Sequence, residues 1–123
     1  RHALGQGRTV VYETSKSLLD NLQSTYDRDN PETFRYRMDW YQTRGVLLLD
    51  DVGAETSTEW RISQLTDLIE HRIQYEKPMA VTTNLDRDEM IDKLGPRIGS
   101  RLFATNPGLP IKLVVTTAKD YRR

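Results

Sequence analysis

The sequence predicts an α/β fold in which a parallel sheet is flanked by helices. Segments rich in aliphatic and β-branched residues alternate along the chain with segments whose apolar residues recur at helical spacing. The most apolar segment is the aliphatic run at 46–49 (VLLL), which is typical of a strand covered on both faces. Asp50 and Asp51 follow it directly, at the end of the strand where open α/β sheets bind ligands.

Length and composition limit the alternatives. The 123 residues suffice for one domain or part of one, and 18 basic side chains balance 18 acidic ones. This neutrality gives no general attraction to nucleic acid, although a local basic patch could still bind it. The chain has no cysteine, which excludes disulfides and cysteine-bound zinc, and no apolar run approaches the ~20 residues of a membrane span. We therefore expect a soluble, cytoplasmic protein with no membrane partner.

The predicted elements begin with a helix end and a strand. Residues 1–7 resemble the tail of a helix that stops at glycine, and residues 8–13 form a strand. Thr14 or Ser15 is expected to cap a helix over about 16–26. These assignments place the first helix directly after the first strand.

The later elements follow from turn and capping residues. Pro31 suits the first position of a second helix, and Thr56 begins a capping box that opens the longest helix, ending near Tyr75. The remaining predicted elements are a strand at 79–84, a short helix at 85–94, a helical turn at 97–103 and a last strand at 111–116.

The two aspartates indicate a cation site. Adjacent acids at the end of a buried strand are costly unless a cation or a proton relay uses them. This is the pattern of a Walker B strand, in which Asp50 would hold Mg²⁺ and Asp51 would polarise the water that attacks a γ-phosphate. The alternative is an acidic turn over residues 51–53.

Further motifs resemble those of a known family. Thr83-Asn84 ends a second predicted strand, and Arg101 lies on the helical turn beyond it. This order resembles the Walker B, sensor 1 and arginine finger of an AAA+ ATPase. The residues of these motifs resemble most those of the DnaC/IstB-like branch, which contains bacterial and phage helicase loaders and transposition helpers. The matching stretches are 48–55 (LLDDVGAE), 78–85 (PMAVTTNL), 94–102 (LGPRIGSRL) and 119–122 (KDYR).

The resemblance implies a role for each of these residues. The implied catalytic residues are Asp51, Asn84 and Arg101, the implied metal ligand is Asp50, and the implied cofactor contacts are Asp50, Thr83 and Arg122. Arg101 would reach the nucleotide of a neighbouring subunit and offset charge in the transition state. Structural alternatives stay open: Asn84 as the cap of a helix over 86–94, and Arg97 and Arg101 as surface ion pairs.

One motif of the family is missing from the sequence. No Gly-x-x-x-x-Gly-Lys-Ser/Thr stands in the 123 residues, so the phosphate cradle is absent. We therefore expect residues 1–123 to be a partial AAA+ domain, a P-loop NTPase core missing its first strand, that binds ATP poorly by itself. In the family that strand lies between the sensor 1 strand and the last strand.

That sheet order makes a prediction about the slot between residues 79–83 and 111–116. We predict that an upstream strand, a second molecule or a collapsed pairing fills it, because unpaired strand edges inside a sheet are costly. Direct pairing of the two strands in the register of an unbroken sheet would count against the resemblance.

The implied function is that of an ATP-dependent helicase loader in DNA replication. Its implied cofactors are ATP and Mg²⁺, and its implied partners are a replicative helicase, single-stranded DNA and further copies of itself through Arg101. An IstB-like transposition helper and a non-catalytic adaptor are the alternatives. Asp51, where many relatives have glutamate, favours the adaptor, so enzymatic activity stays open.

Overall fold

The computed structural model describes residues 2–3, 9–54, 57–104 and 111–115, which form one sheet with helices packed against it. The strands are β1 (His2–Ala3), β2 (Thr9–Thr14), β3 (Val46–Val52), β4 (Met79–Thr83) and β5 (Ile111–Val115). The helices are α1 (Ser15–Ser24), α2 (Phe34–Thr43), α3 (Glu59–Gln74), α4 (Arg87–Leu94) and α5 (Pro96–Leu102). The sheet order is β1-β2-β3-β4-β5, with β2 to β5 parallel and β1 antiparallel to β2. The predicted α/β fold with a parallel sheet is confirmed.

The connections place the described helices on one face of the sheet. Each step from β2 to β3, β4 and β5 moves to the next neighbour in the same direction. Because crossovers between parallel strands are right-handed, successive steps in one direction carry their helices over the same face. We call this the covered face, and its strand residues are buried in the core: Val11, Leu47, Leu49, Met79 and Val81.

The opposite side of the sheet, which we call the open face, is less protected. Tyr12 is 55% exposed and Val114 is 40% exposed, and Leu48 between them in the sheet is half-buried. The prediction that residues 46–49 are covered on both faces is therefore wrong for the described part of the chain. Leu47 and Leu49 contact the core, whereas Leu48 points away from it.

A buried arginine fixes the amino-terminal edge of the sheet. Arg72 of α3 is fully buried, and its Nη1 donates to the Tyr41 carbonyl at 2.6 Å. Its Nη2 donates to the carbonyls of Gly45 at 2.6 Å and Pro78 at 2.9 Å, just before β3 and β4 begin. Burial lowers the pKa of the guanidinium to about 10. Arg72 thus ties α3 to the start of two central strands.

The first three helices begin at threonine caps. Thr14 caps α1 as predicted, accepting from the Ser17 N–H. Pro31 does not begin α2, because Thr33 caps that helix two residues later and accepts from the Tyr36 N–H. Likewise the cap of α3 is Thr58 rather than Thr56. A hydroxyl acceptor satisfies a free N–H of the first turn, which proline cannot do.

Two further predictions about the chain are wrong. His2–Ala3 is a strand paired with Thr9 and Val10, not the tail of a helix. The slot beside β4 is closed, since β5 pairs with it directly from Met79↔Ile111 to Thr83↔Val115. The physical reason is that pairing satisfies the backbone N–H and C=O groups of both edges. None of the helices within the described ranges is long and apolar enough to cross a bilayer.

Candidate functional site

A β-bulge places the two aspartates at the carboxyl edge of the sheet. Leu49 is level with Val81 and Val52 is level with Thr83, so Asp50 and Asp51 together stand opposite one residue of β4. That residue is Thr82. Such bulges re-aim side chains and are frequent beside active sites. Asp51 adopts a positive φ of 64°, which aspartate tolerates better than most residues and which often marks a functional position.

Hydrogen bonds from both neighbouring strands hold the Asp50 carboxylate. The Thr82 hydroxyl donates to Oδ1, and the Tyr12 hydroxyl donates to Oδ2 at 2.6 Å. These bonds, from Thr82 first and Tyr12 second, lower the pKa of Asp50 below its usual value of 3.8. The same contact with Asp50 raises the pKa of Tyr12. Asp50 is therefore an ionised, oriented carboxylate on the open face.

Asp51 lies beyond the side chains that hold Asp50, and it is exposed to solvent. Its N–H donates to the Thr82 hydroxyl at 2.8 Å, so one threonine connects both aspartates. A pocket of about 260 Å³ beside it is lined by Thr14, Lys16, Asp51 and Ala54.

The chain then turns at Gly53, which has a φ of +93°. A Cβ at this position would lie 2.5 Å from Leu85 Cδ1, so both the backbone conformation and the available space favour glycine.

At the end of β4, the side chains of the adjacent residues Thr82 and Thr83 lie on opposite faces of the sheet. Thr83 is on the covered face, 1% exposed, and its hydroxyl donates to the Val52 carbonyl at 2.6 Å and accepts from the Leu85 N–H at 3.1 Å. Thr82 instead reaches the aspartates on the open face. The cofactor contact predicted for Thr83 stays a prediction, and the hydroxyl that binds the aspartates is that of Thr82.

Asn84 is the exposed residue that follows β4, at the same edge as Asp50 and Asp51. The interpretation of Asn84 as a helix cap is wrong, because α4 begins after Asp86. Asp86 accepts from the Glu89 N–H at 2.8 Å, and Glu89 accepts from the Asp86 N–H at 2.9 Å, in a capping box. The side chain of Asn84 is thus not committed to starting α4.

The donor set at this edge fits Mg²⁺. Within the described ranges no group of three or more acidic, histidine or cysteine side chains is arranged to hold a metal by itself. Mg²⁺ usually keeps several waters and binds one or two carboxylates together with the phosphates of a nucleotide. Asp50, ionised and fixed by two hydroxyls, with Asp51 beside it, provides that kind of partial site.

Arg101 lies apart from the aspartates on α5, with its side chain 53% exposed. Its Nε is 3.8 Å from Oε2 of Glu70 on α3. Arg97, one turn earlier, binds the same carboxylate through Nη2 and through Nε at 3.3 Å. The structure thus brings Asp50, Asp51 and Asn84 to one edge and leaves Arg101 elsewhere on the surface; Arg122 lies outside the described residues.

Sequence reasoning missed three residues around these predicted ones: Tyr12, Thr82 and Glu70. Thr82 could have been found from alternation, because Met79 and Val81 are apolar in phase with Thr83 and out of phase with Thr82. Tyr12 and Glu70 act across strands and helices distant in sequence, and no local pattern marks them.

The described residues thus form a parallel α/β sheet with an acidic bulge at its carboxyl edge, beside a polar strand end. No family model matches the chain. Over 84 residues the chain is 32% identical to the replicative helicase loader DnaI of Bacillus subtilis (strain 168), a match that spans 66% of this chain and 25% of that protein. It is 20% identical over 101 residues to the replicative helicase loader DnaC of Escherichia coli (strain K12), spanning 82% of this chain and 41% of DnaC.

A solved structure gives the same result for the fold. The crystal structure of the DnaC helicase loader superposes with a TM-score of 0.70 at 20% identity, covering 89% of this chain and 63% of that one. The chain is similar in sequence to the DnaC and DnaI helicase loaders and in fold to a DnaC loader, as its motifs predicted. Direct pairing of β4 with β5 counts against the resemblance, but these matches outweigh it. The chain spans between a quarter and two fifths of the length of those two curated relatives.

Proposed function

We propose that this chain is the Walker B half of the ATPase core of a DnaC-type helicase loader, hydrolysing ATP between subunits. The observation that carries the proposal is the bulge in β3, which presents Asp50 and Asp51 together at the edge where Asn84 also lies. A DnaC helicase loader shares this fold, and the donor chemistry of the edge suits a phosphate-bound Mg²⁺.

Each residue at the edge has a distinct proposed role. Asp50 would hold Mg²⁺, which when bound neutralises charge on the nucleotide phosphates. Asp51, which is exposed to solvent, would orient and polarise the attacking water, and Asn84 would hydrogen-bond that water or the γ-phosphate. Arg122 is proposed as a further contact to the nucleotide, and Thr83, buried behind Asn84, as one that acts through Asn84 rather than through its own hydroxyl.

Arg101 would complete the site of a neighbouring subunit. Its side chain is half exposed on α5, away from the aspartates of its own chain, which suits action on a second copy. In an ATPase such an arginine offsets charge on the transferring phosphoryl group. Homo-oligomerisation is therefore part of the proposal, and so are a replicative helicase and single-stranded DNA as partners and a cytoplasmic location.

Substitutions in the full-length gene product test this assignment. Asp51→Asn is expected to abolish hydrolysis while ATP binding persists, because the amide cannot take up a proton from water. Arg101→Ala should likewise lose most turnover with ATP affinity nearly intact. Steady-state hydrolysis and equilibrium binding of a fluorescent ATP analogue measure the two quantities separately.

Mixing the two variants distinguishes an intersubunit ATPase from the alternatives. A mixture should regain part of the turnover, since some interfaces pair an intact Asp51 with an intact Arg101. Near-normal turnover in Asp51→Asn would contradict the role of that carboxylate. A wild-type protein that neither binds nor hydrolyses ATP would instead favour the non-catalytic adaptor.

A further inference from the structure

We propose that Glu70 is the positioning residue for Arg101, holding its guanidinium ready for the neighbouring subunit. This inference rests on the proposed function, because it assumes that Arg101 acts on a nucleotide. Helix α5 is fixed by close packing against its neighbours. The helix buries Ile98, Gly99 and Leu102, and a Cβ at Gly99 would lie 2.5 Å from Ile91 Cγ1 of α4. This close packing seats α5 against α4 with its two arginines on the exposed side.

The arginines are one helical turn apart and meet a single carboxylate. Arg97 uses Nη2 and Nε on Glu70, with an Nε–Oε2 distance of 3.3 Å. Arg101 approaches the same Oε2 through its Nε at 3.8 Å. Among the described residues, Glu70 is the carboxylate that lies within ion-pair distance of both.

The exposure of the three side chains indicates which one is the anchor. Glu70 is 25% exposed, whereas Arg101 is 53% and Arg97 is 69% exposed. The carboxylate is thus the more firmly packed member, on the long helix α3 that also contains the buried Arg72. Because the Arg101 contact uses Nε, the two terminal nitrogens of that guanidinium can face outward.

Glu70 also reduces the electrostatic repulsion between Arg97 and Arg101. Arg97 and Arg101 carry like charges at i and i+4 on one helix, an arrangement that drives the side chains apart. A shared carboxylate between them neutralises part of this charge and limits the rotamers of Arg101. Placing a catalytic arginine in advance lowers the entropy that is lost when it meets its target.

The test compares Glu70→Gln with Arg101→Ala in the full-length gene product. Glu70→Gln keeps the shape and removes the charge, and we expect kcat to fall on the order of tenfold with the KM for ATP unchanged. The melting temperature should stay the same, because exposed ion pairs contribute little to stability. Asp67→Asn, on an exposed position of the same helix, is the matched control and should leave kcat unchanged.

A mixing experiment separates positioning from a general structural role. Glu70→Gln should behave like Arg101→Ala, so that adding Asp51→Asn subunits restores turnover. Glu70→Asp, which keeps the charge, should retain more turnover than Glu70→Gln, whereas a role in shape alone would give the reverse order.

Two results would count against the assignment in different ways. If Arg101→Ala loses turnover while Glu70→Gln does not, Glu70 is no positioning residue and the proposed function stands. If Arg101→Ala keeps normal turnover, the proposed function itself fails and this inference fails with it.

Discussion

The two faces of the sheet differ in what they contribute. The covered face is continuous with the core, and its residues, such as Leu49 and Val81, are at most 1% exposed. The open face carries Tyr12, Asp50 and Thr82, which bind one another through side-chain hydrogen bonds. Stability is thus concentrated on one face and candidate chemistry on the other, within strands that contribute alternate residues to each.

The largest difference should appear when apolar side chains are truncated on the two faces. Leu49→Ala on the covered face should cost about 2–5 kcal/mol of unfolding free energy, because it leaves a cavity in the core. The matched change Leu48→Ala on the open face should cost about 1 kcal/mol, since that side chain is only partly buried. Urea unfolding measures both, and equal costs would show that the open face is covered in solution.

A second comparison uses the adjacent threonines of β4. Thr83→Val should cost about 1–3 kcal/mol, because the buried Val52 carbonyl and Leu85 N–H lose their partner. Thr82→Val should cost less at neutral pH but should change the pH dependence of stability.

The sign of that change follows from the pKa of Asp50. In the folded chain it is lowered from 3.8, so Asp50 adds stability above its unfolded pKa, and this is lost as the pH falls through the folded value. Thr82→Val removes the main cause of the lowered pKa, so less stability should be lost on acidification. Unfolding free energies measured between pH ~2 and ~6 would reveal the difference between the variant and the wild type. The same loss of stability on acidification in both proteins would contradict it.

The smallest effect is expected for Tyr12→Phe. Loss of the second hydroxyl should raise the pKa of Asp50, but by less than Thr82→Val does. Carboxyl-carbon NMR titration of Asp50 measures this directly. Tyr36→Phe, at another exposed tyrosine, is the control, and a shift of equal size there would show that the Tyr12 contact is not specific.

Sequence reasoning predicted what depends on local pattern. The aliphatic run 46–49 located β3, and the two acids after it located the candidate site. Alternation in β3 could not reveal the bulge, because the extra residue is defined only by the partner strand. The coverage of one face likewise depends on the direction of the crossovers, which no single element encodes.

The remaining differences arise from competition between distant groups. Pairing of β4 with β5 satisfies two strand edges that the family resemblance had separated. Glu70 and Arg101 meet because α3 and α5 pack together, although they are far apart along the chain. Their ion pairing is a property of the assembled fold rather than of either helix.

The central claim, that the Asp50 edge binds the nucleotide's metal, can be tested by iron-mediated cleavage. Fe²⁺ replaces Mg²⁺ in the full-length gene product with ATP, and peroxide then cuts the backbone near the bound metal, with cut sites mapped by mass spectrometry. We expect cuts at 50–53 and 82–84, none at the opposite edge near 44–46, and loss of the cuts in Asp50→Asn. Cleavage that is unchanged in Asp50→Asn, or that falls elsewhere on the chain, would contradict the account.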